Sequence, residues 1–173
     1  MRPKTRWGIK IKSKAAGKRA VIDIYDVITS DGEGVSAKDI LEKLNGIDPK
    51  AELLIRLNSA GGDVTEGIAI YNLLAAHEGK VTVRIDGLAG SIATVICCAA
   101  DEVQIAANAF FMIHNPWSQM AGGAEDLREI ADHLDTVTDQ MIAIYSDRSG
   151  LDPKEIRKLC DEETWMTAEE ALE

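Results

Sequence analysis

The sequence has 173 residues, of which 46% are hydrophobic and 28% charged, and its formal net charge is −10. This length allows one domain with its own core, and no apolar run reaches the roughly 18 residues that a membrane-spanning helix requires. Cys97, Cys98 and Cys160 show neither a disulfide framework nor CxxC metal spacing, so we expect small buried side chains and a cytoplasmic protein.

The charge is unevenly distributed along the chain. Residues 1–20 contain eight Lys or Arg and no acidic residue, whereas the rest of the chain is acidic. Because only Trp7 adds an aromatic ring and no nucleic-acid motif accompanies these cations, we expect a flexible, solvated arm and no nucleic-acid partner. The sequence therefore predicts a basic arm over residues 1–20 and one domain over residues 21–173.

Predicted strands and helices alternate through the first hundred residues. The segment 20–28 is rich in β-branched residues, which predicts a strand. A short helix follows, with Ser36 as its N-cap and Asn45-Gly46 at its end. The same order is then repeated by a strand over 51–58, a helix over 65–79, a strand over 81–90 and a buried helix over 91–100.

The second half of the chain is more helical. Two short strands are expected over 101–107 and 109–115. Apolar residues at helical spacing predict a long helix over 124–145, and Asp152 and Pro153 begin another over 151–160. The whole pattern predicts an α/β fold of repeated ββα or βαβ units, with a mainly parallel sheet and a long helix.

The stretch GLAGSIATVICCAA, residues 87–100, surrounds Ser91 with small residues. A strand passes here through two glycines into a helix, so the Ser91 hydroxyl lies at a turn beside the N–H groups of a helix N-terminus. Such groups can bind an oxyanion. The alternative interpretation is that Ser91 only caps the helix.

A second glycine turn lies in NSAGGDV, residues 58–64. Gly61 and Gly62 permit backbone conformations that other residues avoid, and they can turn an N–H outward before the next helix. The segment lacks the Lys-Ser/Thr ending of a phosphate-binding loop. An ordinary strand-to-helix turn is the alternative.

Of the three histidines, His114 in MIHNP is the candidate general base. It lies where an apolar strand meets a loop. His77 near the end of one helix and His133 within another are expected to be solvated. A structural role for His114 stays open on these grounds alone.

NSAGGDV, GLAGSIA and MIHNPW, in this order, resemble motifs of the Clp protease proteolytic subunit family of serine peptidases, and the resemblance runs from about residue 22 to the C-terminus. IDGLAGSIATVI, IHNPW and ETWMTAEEALE look most like the bacteriophage and prophage branch associated with head maturation. The resemblance implies that Ser91 is the nucleophile and His114 the general base. It also implies an oxyanion hole formed by the N–H groups of Gly61 and Ile92.

The acid of the implied triad is less well defined. The family has an Asp two residues before an aromatic residue, and Glu163 takes that position before Trp165. Asp161 and Glu162 are alternative acids, and a solvated acidic turn is the remaining interpretation. Two other positions also depart from the family. Ala60 stands where the family commonly has proline, and Gly90 stands where the family often has alanine or serine.

The resemblance implies a ClpP-like endopeptidase that works through an acyl-enzyme and needs no metal or cofactor. Its implied partners are peptide or protein substrates, including capsid or scaffold precursors for the phage branch, and further copies of itself in a ring to which helix 124–145 contributes. Whether an ATP-dependent unfoldase takes part is left open. The expected location is the bacterial host cytoplasm or a phage prohead, without membrane attachment, and the C-terminus resembles a truncated one.

Two other function classes stay open. A crotonase-like acyl-CoA enzyme would use a similar oxyanion hole without needing Ser91 and His114 as a pair. A catalytically idle, ring-forming capsid-assembly protein would keep the fold, and the replacement of the usual Asp by Glu163 is compatible with it.

Overall fold

The computed structural model describes residues 19–172. The predicted basic arm therefore lies outside the described residues, except for its last two. The described chain forms two compact units. One unit runs to Met112 and resumes at Trp165, and the other comprises Ile113–Thr164.

The first unit is built on a six-stranded sheet in the order β1-β2-β3-β5-β6, with β4 also paired to β3. The pairs that join β1 to β2, and β3 to β2, β4 and β5, are all parallel, as predicted. The last residue of β5 and the first of β6 belong to the second unit. The strands are β1 (Ala20–Ile24), β2 (Leu53–Ser59), β3 (Val81–Gly90), β4 (Glu102–Ile105), β5 (Phe110–Ile113) and β6 (Thr164–Thr167).

Three α-helices of this unit connect the strands: α1 (Ala37–Asn45), α2 (Val64–Ala75) and α3 (Ile92–Cys98). Ser36 caps α1 as predicted, because its side chain accepts a hydrogen bond from the Asp39 amide. A short 3₁₀ helix, Glu170–Leu172, ends the described chain.

The core lies between the helices and one face of the sheet. On β2 and β3 the buried residues of this face occupy every second position and, apart from Leu54, the residues between them are polar; on α2 the buried residues are Gly67, Ile70 and Leu74. Gly67 lies against Ile92 of α3, since a Cβ at Gly67 would come within 2.2 Å of the Ile92 Cγ1. The absence of a side chain at this position lets α2 and α3 pack closely. The buried residues that β2 and β3 contribute to this face are Leu53, Ile55, Leu57, Val81, Val83 and Ile85.

Helix α2 ends at Ala75, four residues before its predicted end. The chain turns early because Gly79 N–H donates to Pro49 O at 3.0 Å, which brings the start of β3 beside β2. His77 Nε2 lies 2.8 Å from Ala51 O, so the prediction that His77 is solvated was wrong. The corresponding prediction for His133 is confirmed, since that residue is exposed.

The second unit contains α4 (Ala124–Ser149) and α5 (Pro153–Asp161), so the long helix is confirmed. α4 extends past its predicted end to Ser149, and Gly150, its C-cap, has a φ of 75°, the left-handed conformation that commonly ends helices. Asp152 caps α5 and Pro153 begins it, as predicted. Within residues 19–172, no helix is both long and apolar enough to cross a lipid bilayer.

Cys97 and Cys160 are buried and Cys98 is half-buried, which agrees with the prediction of small core side chains. Burial, together with the negative charge of Asp161, raises the pKa of Cys160 to about 11.

Candidate active site

Ser91 joins β3 to α3 with an unusual backbone conformation. Its φ of 53° and ψ of −130° lie outside the regions that L-residues normally occupy. A strained strand-to-helix turn of this kind projects a serine side chain away from the sheet. Ser91 occupies the N-cap position, but its side chain makes no capping hydrogen bond, so the interpretation of Ser91 as a helix cap was wrong.

Backbone hydrogen bonds fix Ser91 on both sides. Its N–H donates to Met112 O at 2.8 Å and so continues the pairing of β3 with β5. Its carbonyl oxygen accepts from the Thr94 amide at 2.9 Å and from the Thr94 hydroxyl at 2.5 Å. Thr94 is buried, which makes these bonds part of the core. The fold therefore stabilises the strained serine from two directions.

The two predicted glycine turns meet at Ser91. Gly61 has a φ of 95°, and a Cβ on it would lie 2.7 Å from both Gly90 O and Ser91 Cβ. The same Cβ would lie 3.2 Å from the Ile92 amide nitrogen. The backbone of Gly61 therefore lies directly against the serine and the amide that follows it. Only glycine meets both requirements, since the position needs a positive φ and has no space for a side chain.

The Gly61 amide has a partner inside its own turn. It donates to the hydroxyl of Ser59, a buried residue, at 3.1 Å. The Gly61 carbonyl oxygen accepts from the Ile28 amide at 2.8 Å, and the Asp63 amide donates to Ile28 O at 2.7 Å. The segment after β1 thus holds the glycine turn on its outer side.

Asp63 follows this turn as the N-cap of α2. A hydrogen bond from the Thr65 hydroxyl, and then the amides of Glu66 and Thr65, lower the pKa of the Asp63 carboxyl against the opposing effect of burial. The ionised carboxylate therefore anchors the start of α2 directly after the turn.

Sequence reasoning missed the role of Asn58. The register of β2 against β3 changes here, because Leu57 pairs with Ile85 but Ser59 pairs with Ala89. The Asn58 Oδ1 accepts a hydrogen bond from the Leu88 amide at 3.1 Å and so replaces the missing backbone acceptor. An Asn directly before the glycine turn was the available signal.

In the second unit, His114 and Glu163 lie together. The His114 Nδ1 is 3.7 Å from the Glu163 Oε2, and their side chains are 18% and 59% exposed. His114 directly follows β5, and Glu163 lies two residues beyond α5 with a φ of 47°. Among the described residues, Ser91 and Glu163 are the two non-glycine residues with positive φ.

The two alternative acids have other partners. Asp161 accepts a hydrogen bond from the Asn115 Nδ2 at 2.8 Å. Glu162 lies 3.9 Å from the Lys158 ammonium. Of the three adjacent acids, Glu163 is therefore the one whose carboxylate the structure places beside the imidazole. In the part of the chain that the structure describes, no group of three or more His, Cys, Asp or Glu side chains could hold a metal ion.

Comparison with known proteins places the chain in a family. The family model described as Clp protease matches residues 8–173. The chain belongs to the Clp protease family. This confirms the resemblance of NSAGGDV, GLAGSIA and MIHNPW to the motifs of that family, and the α/β architecture described above agrees with it.

Relatives in the Clp protease family are similar along most of the chain. ATP-dependent Clp protease proteolytic subunit 1 of Protochlamydia amoebophila is 34% identical over 173 residues, which cover 94% of this chain and 84% of the relative. The ATP-dependent Clp protease proteolytic subunit of Leuconostoc citreum is 32% identical over 133 residues, covering 75% and 66%. That of Streptococcus suis is 28% identical over 179 residues, covering 95% and 91%.

Proposed function

We propose that this Clp protease family member is a serine endopeptidase whose nucleophile is Ser91. The observation that carries the proposal is the conformation of Ser91, with a φ of 53° at the junction of β3 and α3. Such strain is retained where the surrounding structure enforces it, and strained residues of this kind cluster at active sites. Here the strained conformation is held by hydrogen bonds from the Ser91 amide to the Met112 carbonyl and from Thr94 to the Ser91 carbonyl.

The oxyanion is stabilised by the amides of Ile92 and Gly61. The Ile92 amide directly follows the nucleophile, and Gly61 packs against it. The Gly61 N–H exchanges its bond to the Ser59 hydroxyl for one to the substrate oxygen when negative charge develops there. Hydrogen bonds to an ionised acceptor are roughly twice as strong as neutral ones, so this exchange favours the tetrahedral intermediate over the bound substrate.

His114 takes the proton from the Ser91 hydroxyl and returns it to the leaving amine. The resemblance of MIHNPW to the family motif supports His114 as this base. The resulting acyl-enzyme is hydrolysed when His114 activates a water molecule. Because the Nδ1 faces Glu163, the Nε2 is the nitrogen that transfers the proton.

Glu163 acts as the acid that holds the imidazole tautomer. Glutamate is one methylene longer than the aspartate that the family resemblance implies, so its carboxylate needs a different backbone position. The left-handed conformation of Glu163, with a φ of 47°, provides that position at the end of α5. Substitution by Asp would shorten the side chain at this backbone geometry and is expected to lower kcat rather than raise it.

The sequence resemblance also supports a finer biological assignment. The segments IDGLAGSIATVI, IHNPW and ETWMTAEEALE support a phage or prophage head maturation protease that acts on capsid or scaffold precursors in the bacterial cytoplasm or in the prohead. A homo-oligomeric ring is supported by the exposure of apolar residues on α4, such as Leu127 at 45%. An ATP-dependent unfoldase could deliver substrates to such a ring.

Covalent labelling tests the proposal. A fluorophosphonate probe should label the wild-type protein and Ser30→Ala, a change to an exposed serine in a turn, but not Ser91→Ala. An activated ester should give a burst of one acyl group per reactive subunit. An idle assembly protein would show neither result, and a crotonase-like enzyme would bind an acyl-CoA without labelling at Ser91. Labelling of Ser91→Ala at the wild-type rate would refute the proposal.

A further inference from the structure

We infer that Asn115 and Asp161 form a clamp that positions His114 and Glu163. Asn115 directly follows His114, and Asp161 precedes Glu163 by two residues. The Asn115 Nδ2 donates to the Asp161 Oδ1 at 2.8 Å, across a sequence separation of 46 residues. The inference rests on the proposed function and concerns residues that act through the His114–Glu163 pair, not groups that touch substrate.

The geometry of Asn115 is determined on both its backbone and its side chain. Pro116 follows it, and a residue before proline is restricted to extended conformations. The Asn115 Oδ1 is buried and has no hydrogen-bond partner among the described residues. Rotation of the amide group would bring this oxygen toward the Asp161 carboxylate, where the two acceptors would repel each other. The Asp161 carboxylate therefore fixes the orientation of the amide.

The His114–Glu163 pair needs such support. Glutamate has three side-chain torsions, and the Glu163 side chain is 59% exposed, so holding its carboxylate beside the imidazole costs conformational entropy. Its backbone occupies the left-handed region, which an unrestrained glutamate would leave for a more favourable conformation. The Asn115–Asp161 bond joins the two segments next to the catalytic pair, and its 2.8 Å length lies in the normal range of hydrogen bonds.

Loss of the clamp is therefore expected to lower the rate of the chemical step without weakening ester binding. Asn115→Ala and Asp161→Ala should each lower kcat for an activated p-nitrophenyl ester by about tenfold or more and leave KM within about twofold, because small displacements of catalytic groups are costly. Asp161→Asn keeps an oxygen that accepts from Asn115 and should retain most of the wild-type kcat. The double variant with Ala at both positions should be no slower than Asn115→Ala.

Asp139→Ala is the matched control. It removes the partner of the Arg157 guanidinium, a contact between α4 and α5 in the same unit, and leaves the segments around residues 115 and 161 unchanged. Its kcat should equal that of the wild type. If it fell as far as that of Asn115→Ala, general loosening of the unit would explain the effect and the clamp would be rejected.

Two further outcomes separate the clamp from the proposed function. If Ser91→Ala is inactive but Asn115→Ala and Asp161→Ala keep full kcat, the clamp is wrong and the serine peptidase proposal stands. If Ser91→Ala keeps the wild-type activity, the proposed function itself fails. If Asn115→Ala unfolds below the assay temperature, the two variants of the exposed Asp161 decide the question. Equal losses of kcat in Asp161→Ala and Asp161→Asn would overturn the clamp.

Discussion

Gly61→Ala adds a single methyl group where the two glycine turns meet. At a φ of 95°, a non-glycine residue is strained by about 1–2 kcal/mol. The new Cβ would also lie 2.7 Å from Gly90 O and Ser91 Cβ, closer than any ordinary contact. Relief of such overlaps in a packed region typically costs about 1–3 kcal/mol. We therefore expect Gly61→Ala to lower the free energy of unfolding by about 2–5 kcal/mol.

The chain offers a matched control for the backbone contribution. Gly32 has a φ of 89°, and a Cβ added to it would meet no atom within 4 Å. Gly32→Ala should therefore show only the backbone strain, about 1–2 kcal/mol. Urea unfolding monitored by circular dichroism measures both variants, and the difference between them is the cost of the contact with Ser91. The rate of fluorophosphonate labelling should fall in Gly61→Ala and stay unchanged in Gly32→Ala.

Equal losses of stability in the two variants, together with unchanged labelling of Gly61→Ala, would refute this reasoning. That result would mean that Gly61 does not lie against Ser91 and Ile92, and the proposed oxyanion hole would lose its structural basis. A loss of labelling without any loss of stability would also contradict the argument, since the predicted overlap is steric.

Three further predictions concern charge, backbone strain and reactivity. Because the folded-state pKa of Asp63 is lowered, its ionised form stabilises the protein above about pH 4, and this contribution is lost as the pH falls through the folded pKa. Urea titrations should therefore show the advantage of wild type over Asp63→Asn shrinking at low pH; an advantage that grew there would contradict the assignment. The free energy of unfolding of Glu163→Asn should equal that of the wild type or exceed it by up to about 1 kcal/mol, since Asn tolerates the left-handed conformation. Its kcat for an ester should fall at least about tenfold, because the acid that orients His114 is lost. A clear loss of stability in urea would count against the strain at residue 163. Cys160, with its pKa raised to about 11 by burial, should react with iodoacetamide at pH 8 about a hundredfold more slowly than free cysteine, as mass spectrometry can measure, and comparable rates would show that the thiol is not buried.

The sequence predicted the features that depend on local patterns. The order of strands and helices followed from hydrophobic periodicity and from caps such as Ser36 and Asp152. The family resemblance implied that Gly61 lies beside Ser91, and the structure brings the two together because the carboxyl ends of the adjacent parallel strands β2 and β3 share one edge of the sheet.

The remaining features depend on contacts between distant segments. The early end of α2 results from the bond between Gly79 and Pro49, which no periodicity within the helix reveals. β6 was not predicted, because Thr164–Thr167 is a short segment that forms a strand only where β5 offers a partner. Which of the three adjacent acids lies beside His114 depends on the backbone conformation of Glu163. That conformation is left-handed, which the intrinsic backbone preference of glutamate disfavours, so the sequence did not indicate it.

Main-chain atoms surround the point where Gly61 meets Ser91: the Gly90 carbonyl oxygen and the Ile92 amide nitrogen face Gly61, and the Met112 carbonyl oxygen accepts from the Ser91 amide. Every residue type except proline has both a backbone N–H and a backbone carbonyl. Substitutions that change the side chain at many neighbouring positions should therefore leave the position of Ser91 unchanged. At Gly61, by contrast, any added side chain would collide with Gly90 and Ser91. A mutational scan of this region should therefore sort variants by side-chain size more than by polarity.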